Sequence, residues 1–192
     1  MPRTARIVHP DVPHHVVQRG NRRMQVFFED DDYRYYLNLI AEGCRRADTA
    51  ILGYCLMPNH VHLILVPTKP DGLRQAISEP HRIYSRRINE RNDWNGHLWQ
   101  ERFASFPMSD RYFIAALRYI ELNPVRAGMC DNPFLYQWSS ANAHRDKRST
   151  RFVHIEPVID LLDGWEDFLG SGMDEQEIEC FRAHERSGHW MR

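Results

Sequence analysis

Short apolar alternations, parted by turn residues, predict an ordered series of strands and helices over the first 128 residues. His14-His15-Val16-Val17-Gln18 is a β-prone run closed by the turn signal Arg19-Gly20-Asn21. The acids Asp30-Asp31-Asp32 suit the positive end of a helix dipole. Tyr33, Tyr36, Leu37, Ile40 and Ala41 then recur at helical spacing, which predicts a helix to about Arg46. Ala50–Met57 and His60–Val66 read as two strands of an antiparallel hairpin turning at Pro58-Asn59. A helix follows over residues 73–92, and Pro80 inside it predicts a break and restart, because proline is tolerated only in a first turn. Phe103–Pro107 reads as another strand. Ser109 is placed to cap a helix from Asp110 to about Asn123, where Pro124 stops it. The order β-α-β-β-α-β-α, with a hairpin in its middle, predicts an α+β fold with helices packed on an antiparallel sheet.

Beyond residue 128 the pattern weakens. Residues 137–144 fit a short helix, and 156–184 fit one or two short acidic helices broken by Gly164, Gly170 and Gly172. The expected organisation is a main domain over residues 1–145 and a mostly helical extension over 146–192.

Composition narrows the class. With 42% hydrophobic and 27% charged residues, disordered, collagen-like and low-complexity chains are excluded. No apolar run reaches the roughly 18 residues of a membrane helix, and the first 15 residues hold no signal-peptide core. Cys44, Cys55, Cys130 and Cys180 lie far apart with no CxxC pair, which argues against a zinc knuckle or a disulfide framework. The expectation is reduced thiols in a cytoplasmic protein with no membrane partner.

The net charge of −1 hides a division. Residues 156–180 carry nine acids and no Lys or Arg, leaving 25 basic against 17 acidic residues elsewhere, a surplus of eight. Only Lys69 and Lys147 are lysines; the other basic residues are arginines, whose planar fork grips phosphates and stacks on bases. A GC-rich coding sequence produces the same bias, so charge alone leaves nucleic-acid binding open.

Chemistry concentrates in Met57-Pro58-Asn59-His60-Val61-His62-Leu63-Ile64-Leu65. Strand residues two apart share a face, so His60 and His62 project together and can converge on one divalent cation. No Asp or His follows two or three residues later, which argues against a two-metal hydrolase. A third ligand has to come from elsewhere. On the 110–123 helix, Tyr119 and Asn123 are spaced i,i+4 and share a face. If that helix lies on the histidine strand, Asn123 can offer an amide oxygen and Tyr119 a hydroxyl one turn away. By spacing alone, the simpler reading is that Tyr119 is a half-buried core phenol and Asn123 the helix terminus before Pro124.

Five segments occur together in order. They are Pro13-His14-His15-Val16-Val17-Gln18-Arg19-Gly20-Asn21-Arg22, the His60-Val61-His62 strand and Gly96-His97-Leu98-Trp99-Gln100-Glu101-Arg102-Phe103. Arg118-Tyr119-Ile120-Glu121-Leu122-Asn123-Pro124-Val125-Arg126-Ala127-Gly128 and Trp138-Ser139-Ser140 complete the set. Over residues 1–145 it closely resembles the single-tyrosine HUH transposases, in particular the REP-associated tyrosine transposase branch. The resemblance implies a ferredoxin-like domain and a metal-dependent endonuclease and strand transferase, using Mg²⁺ or Mn²⁺ on single-stranded DNA with hairpin elements. It implies His60 and His62 as metal ligands, Asn123 as the third, and Tyr119 as the nucleophile that forms a 5′-phosphotyrosine. Insertion-sequence relatives often place Gln at the position of Asn123, and Asn is shorter. Nothing functional is carried onto the extension.

Rival tyrosines are weaker. Tyr84 falls on the apolar stripe Ile77-His81-Tyr84-Ile88, Tyr112 lacks an Asn or Gln four residues on, and Tyr36 belongs to the first helix's core stripe. The His184–His189 stretch superficially resembles a zincin motif, but its spacing is wrong. Arg19, Arg22 and Arg23, the pair Arg82 and Arg86 (on one helical face with Asn89, flanked by Arg87 and Arg91), and Arg102 are expected on phosphates. Trp94, Trp99 and Phe103 serve either as base-stacking platforms or as core. The charge division suggests that the acidic segment folds over the basic surface and competes with DNA. A DNA-binding protein without cleavage and a metal-dependent hydrolase of small substrates are the alternative functions, and a monomer and a homodimer are equally compatible.

Overall fold

The computed structural model describes residues 7–187, apart from the side chains of residues 110, 111 and 184–187. The side chains of the His184–His189 stretch therefore lie outside the described residues. Four strands, β1 (His14–Arg19), β2 (Thr49–Met57), β3 (His60–Pro67) and β4 (Ala104–Pro107), form one sheet in the order β2-β3-β1-β4. All neighbours are antiparallel. The turn at Pro58-Asn59 places β2 and β3 in register, Met57 opposite His60 and Cys55 opposite His62. In the neighbouring pair, Val17 lies opposite His62 and Arg19 opposite His60. Strand alternation thus puts His15, Val17, Arg19, His60, His62 and Phe106 on one face, and Val16, Val61, Leu63 and Leu65 on the other. The outer edge of β2 is covered: Leu56 N–H donates to the Trp138 carbonyl, and Ser140 N–H to that of Tyr54, both at 2.9 Å.

Helices α1 (Asp30–Arg46) and α2 (Gly72–Asn92) pack against each other. Acids fill the first turn of α1 and Arg45 and Arg46 its last, as the dipole favours. Asp32, fully buried, accepts from Phe28 N–H and takes a two-pronged pair from Arg91 at 2.7 and 2.8 Å. Arg91 is therefore committed to the fold rather than to a DNA-facing stripe.

The break expected at Pro80 is absent: α2 runs through it for 21 residues. Proline deprives the carbonyl four residues earlier, that of Ala76, of its helical donor. That carbonyl faces Gly43 of α1, where an added Cβ would lie 2.2 Å from the Ala76 oxygen and 2.8 Å from Pro80 Cγ. The two irregularities fit one another, and the close helix contact keeps α2 intact. Gly43→Ala is accordingly expected to lower stability by about 1–3 kcal/mol through overpacking, even though alanine favours the helix. Urea unfolding measures it, and an unchanged or raised midpoint would show that the helices part freely.

On the histidine face lies α3 (Asp110–Glu121). Gly53 of β2 leaves room for it, since a Cβ there would meet Leu117 Cδ2 at 2.5 Å. Pro124 does not end the helical path. After a one-residue turn at Leu122 the chain continues as α4 (Asn123–Arg126), with Pro124 in the first turn, where a missing N–H costs nothing. The remaining α-helices are α5 (Ala141–Arg145), α6 (Trp165–Gly170) and α7 (Glu175–Ser187), with a 3-10 helix at Glu156–Leu161 between α5 and α6. Val158, Leu162, Trp165, Leu169 and Phe181 of this last part are buried in the common core.

Candidate active site

A cavity of about 780 Å³ opens on the histidine face of the sheet. His60 and His62 from β3, Tyr119 from α3 and Asn123 from α4 all line it. The four residues singled out from sequence are thus brought together. The two imidazoles stand perpendicular with centroids 4.9 Å apart, and the Tyr119 ring meets His62 edge-on at 6.0 Å.

Hydrogen bonds fix how His60 presents itself. Asn59 Nδ2 donates to the Arg23 carbonyl at 3.1 Å, which turns its Oδ1 to His60 Nδ1 at 2.6 Å. A carbonyl oxygen only accepts, so His60 carries its proton on Nδ1 and a lone pair on Nε2. The Asn123 amide nitrogen, Nδ2, lies 3.5 Å from that Nε2 as its donor. Burial, with Arg19 nearby, pushes the His60 pKa down to about 3. Burial holds His62 well below the usual range, helped by the imidazoles of His60 and His15, which oppose a further proton, and by the Arg126 and Arg19 guanidinium groups. Both rings are neutral at pH 7, as metal ligation requires. Among the described residues no cluster of three or more His, Cys, Asp or Glu side chains is arranged to hold a metal. A site built on this pair therefore depends on the Asn123 amide for its third protein donor.

Positive charge surrounds the set. Arg19, Arg23, Arg102, Arg126 and Arg182 line the cavity against one acid, Glu101. The Arg126 guanidinium lies 4.3 Å over the Tyr119 ring. Three of the expected DNA-contact arginines, Arg19, Arg23 and Arg102, are in the cavity; Arg22 is exposed beside it and does not line it. Arg82 lines a neighbouring cleft of about 610 Å³ that shares Gln100, Glu101 and Arg102 with the first. Arg86 is exposed, as is Arg82, each beside a glutamate of its own helix. Exposed pairs of this kind hold a side chain by about 1 kcal/mol at most and yield readily to phosphate.

Core and site separate the aromatic candidates. Tyr84 is fully buried and donates to the Val26 carbonyl at 2.7 Å; Tyr36 is buried against His81, with its hydroxyl 2.8 Å from the ring nitrogen. Neither lines the cavity, nor does half-buried Tyr112. Trp99 and Phe103 belong to the core, whereas Trp94 is exposed.

Four contributors have no role assigned from the sequence: His15, Arg126, Phe181 and Arg182. His15 and Arg126 stand within the motifs quoted above. Phe181 lies in the extension, where no local signal marks it. Its ring stacks on Tyr119 at 4.7 Å with planes 15° apart, leaving Tyr119 only 5% exposed. The same extension grips α3 at the neighbouring residues. Arg118 donates to Ser171 Oγ at 2.8 Å and lies 4.3 Å over the Phe168 ring, and Trp165 Nε1 donates to buried Glu121 at 2.9 Å. Glu121 also accepts from Ser140 Oγ at 2.6 Å and His144 Nδ1 at 2.5 Å. Burial works against the His144 imidazolium, but the charge and hydrogen bond of Glu121 outweigh it and raise its pKa.

The chain matches the family described as "Transposase IS200 like" over residues 9–123. No curated protein matches it. Among solved structures it is similar to a REP-associated tyrosine transposase bound to a REP hairpin. That chain is 18% identical, with a TM-score of 0.61 over 80% of this chain and 92% of the other. A putative transposase from Deinococcus radiodurans R1 is 19% identical, with a TM-score of 0.42 over 63% of this chain and 96% of that one. Among the described residues no helix is long and apolar enough to cross a membrane.

Proposed function

The chain belongs to the IS200-like transposase family, and we propose that it nicks and rejoins single-stranded hairpin DNA through a 5′-phosphotyrosine on Tyr119. The observation that carries this reading is the meeting of Tyr119, His60, His62 and Asn123 in one arginine-lined cavity. Nε2 of each histidine and the Asn123 amide oxygen would hold Mg²⁺ or Mn²⁺, both of which accept such a donor set. A bound cation would withdraw charge from the non-bridging oxygens of the scissile phosphate.

The protein's own groups do the rest. Arg19, Arg23 and Arg102 hold the backbone phosphates on either side of the scissile bond. Arg126 sets positive charge beside both the nucleophile and the phosphate it attacks. The Tyr119 oxygen attacks phosphorus in line, a phosphotyrosine ester forms at the 5′ end, and the displaced 3′ oxygen leaves as a hydroxyl. The ester conserves the phosphodiester's energy, so a 3′-hydroxyl from another strand reverses the step and rejoins DNA. Arg22, Arg82 and Arg86 lie outside the cavity lining and suit the duplex part of a hairpin. The solved relative bound to a REP hairpin supports that substrate class.

The test uses single-stranded DNA labelled at its 3′ end and carrying hairpins from the flanks of the gene, incubated with Mg²⁺ or Mn²⁺. Label is expected to migrate with wild-type protein on a denaturing gel, and Tyr119→Phe is expected to give none. An adduct in both proteins moves the nucleophile elsewhere. Binding with neither cleavage nor adduct on several hairpins supports the binding-only alternative.

A further inference from the structure

His15 is fully buried on β1 and does not line the cavity, yet its Nε2 lies 2.9 Å from Nδ1 of His62. The two rings stack with centroids 5.1 Å apart and planes 20° apart, so the contact is fixed in angle as well as length. Phe106 at 6.3 Å and the edge of Tyr119 at 6.4 Å enclose His15 on other sides. The register explains the meeting. Val17 stands opposite His62, so His15, one step along the same face, reaches it diagonally.

A neutral imidazole has one donor and one acceptor, so this hydrogen bond spends one of each. If His62 donates, its proton is on Nδ1 and its Nε2 carries a lone pair. If His15 donates, the proton of His62 is on Nε2 and the ring cannot bind a cation there. His60, one step along the strand, is already settled in the first way by Asn59.

We infer that His15 is the positioning residue for His62: it accepts from His62 Nδ1–H and holds the Nε2 lone pair toward the cavity. The inference rests on the metal site proposed above. It gives that site a matched pair of supports, Asn59 behind His60 and His15 behind His62. Outer hydrogen-bond partners of this kind set ligand tautomer and orientation, and losing one typically weakens metal binding 10–100-fold.

Two variants separate this role from packing. His15→Phe keeps a ring in the stack but offers no acceptor; His15→Gln offers an acceptor oxygen near the position of Nε2 but gives up the ring. Manganese affinity, measured by the loss of free-ion electron paramagnetic resonance signal, is expected to fall 10–100-fold in His15→Phe and to stay within about threefold in His15→Gln. The opposite order, with Phe binding as wild type and Gln weakened, overturns the inference and leaves His15 a packing residue. A second readout needs no metal. In protein labelled with ¹⁵N-histidine, multiple-bond ¹H–¹⁵N spectra of the metal-free wild type are expected to show His62 protonated on Nδ1. A proton on Nε2 overturns the inference even if every variant fails to fold. If the wild type binds no manganese while His62 is protonated on Nδ1, the metal reading falls and the hydrogen-bond assignment stands.

Discussion

A chain that stops at residue 155 is expected not to fold cooperatively. Its missing part contributes Val158, Leu162, Trp165, Leu169 and Phe181 to the core, each no more than 3% exposed. At about 1.5–3 kcal/mol for each fully buried large apolar side chain, these are worth roughly 8–15 kcal/mol, as much as the whole stability of an ordinary domain. The truncation also removes the Trp165 N–H from the Glu121 carboxylate and bares one face of Tyr119. Circular dichroism melts of the truncated and full chains would measure the loss. A cooperative melt within a few degrees of the full chain would mean that residues 156–187 sit on a core complete without them. Such a deletion also cannot isolate the effect of the acidic charge on DNA binding, because the acids and the buried residues leave together.

How far the sequence discloses this molecule follows the range of the interactions involved. The strands and first helices are legible because alternation, turn residues and helical spacing act within a few positions. The hairpin at Pro58-Asn59 and the shared face of His60 and His62 follow from the chain's own periodicity. Bringing Tyr119 and Asn123 to that face needs α3 to lie on it, which depends on Gly53 making room for Leu117 64 residues away. Spacing leaves the roles of Tyr119 and Asn123 open; only the resemblance of the linked motifs implies them. Pro80 misleads for a similar reason: its local rule is sound, but the relief comes from Gly43 on another helix. The bond between His15 and His62 needs the β1–β3 register, and the stack of Phe181 on Tyr119 joins residues 62 apart in a segment with no pattern pointing to it. Arg126 is an intermediate case, within a quoted motif but positioned only once α4 continues the helical path past Pro124.

Acidification from pH 7 to 5 is expected to remove at least about 4 kcal/mol of stability from the metal-free protein. Burial lowers the pKa of His14 to about 4 and of His60 to about 3, against about 6.5 for an unfolded histidine. Between those values the unfolded chain binds protons that the folded one refuses, so stability falls as pH falls, by about 1.4 kcal/mol per pH unit for each such ring. From pH 6.5 to 5 that is roughly 2 kcal/mol apiece, and His62, lowered in the same sense, adds to it. The structure shows what the extra proton would break at His14. One ring nitrogen lies 2.7 Å from the Val12 carbonyl and the other accepts the His9 N–H at 3.2 Å, so both positions are already used. His144 cannot offset the loss. Its pKa is raised, so below 6.5 it is protonated in both states; its contribution is already complete there and declines only as pH rises through its folded value. Urea unfolding with a chelator present, at pH 7.5, 6.5, 5.5 and 5, would measure the slope, and His14→Gln should reduce it by about 1.4 kcal/mol per unit. A midpoint that stays level across that range would mean that these histidines accept protons in the folded state, and so that the imidazoles facing the cavity are not held neutral by burial.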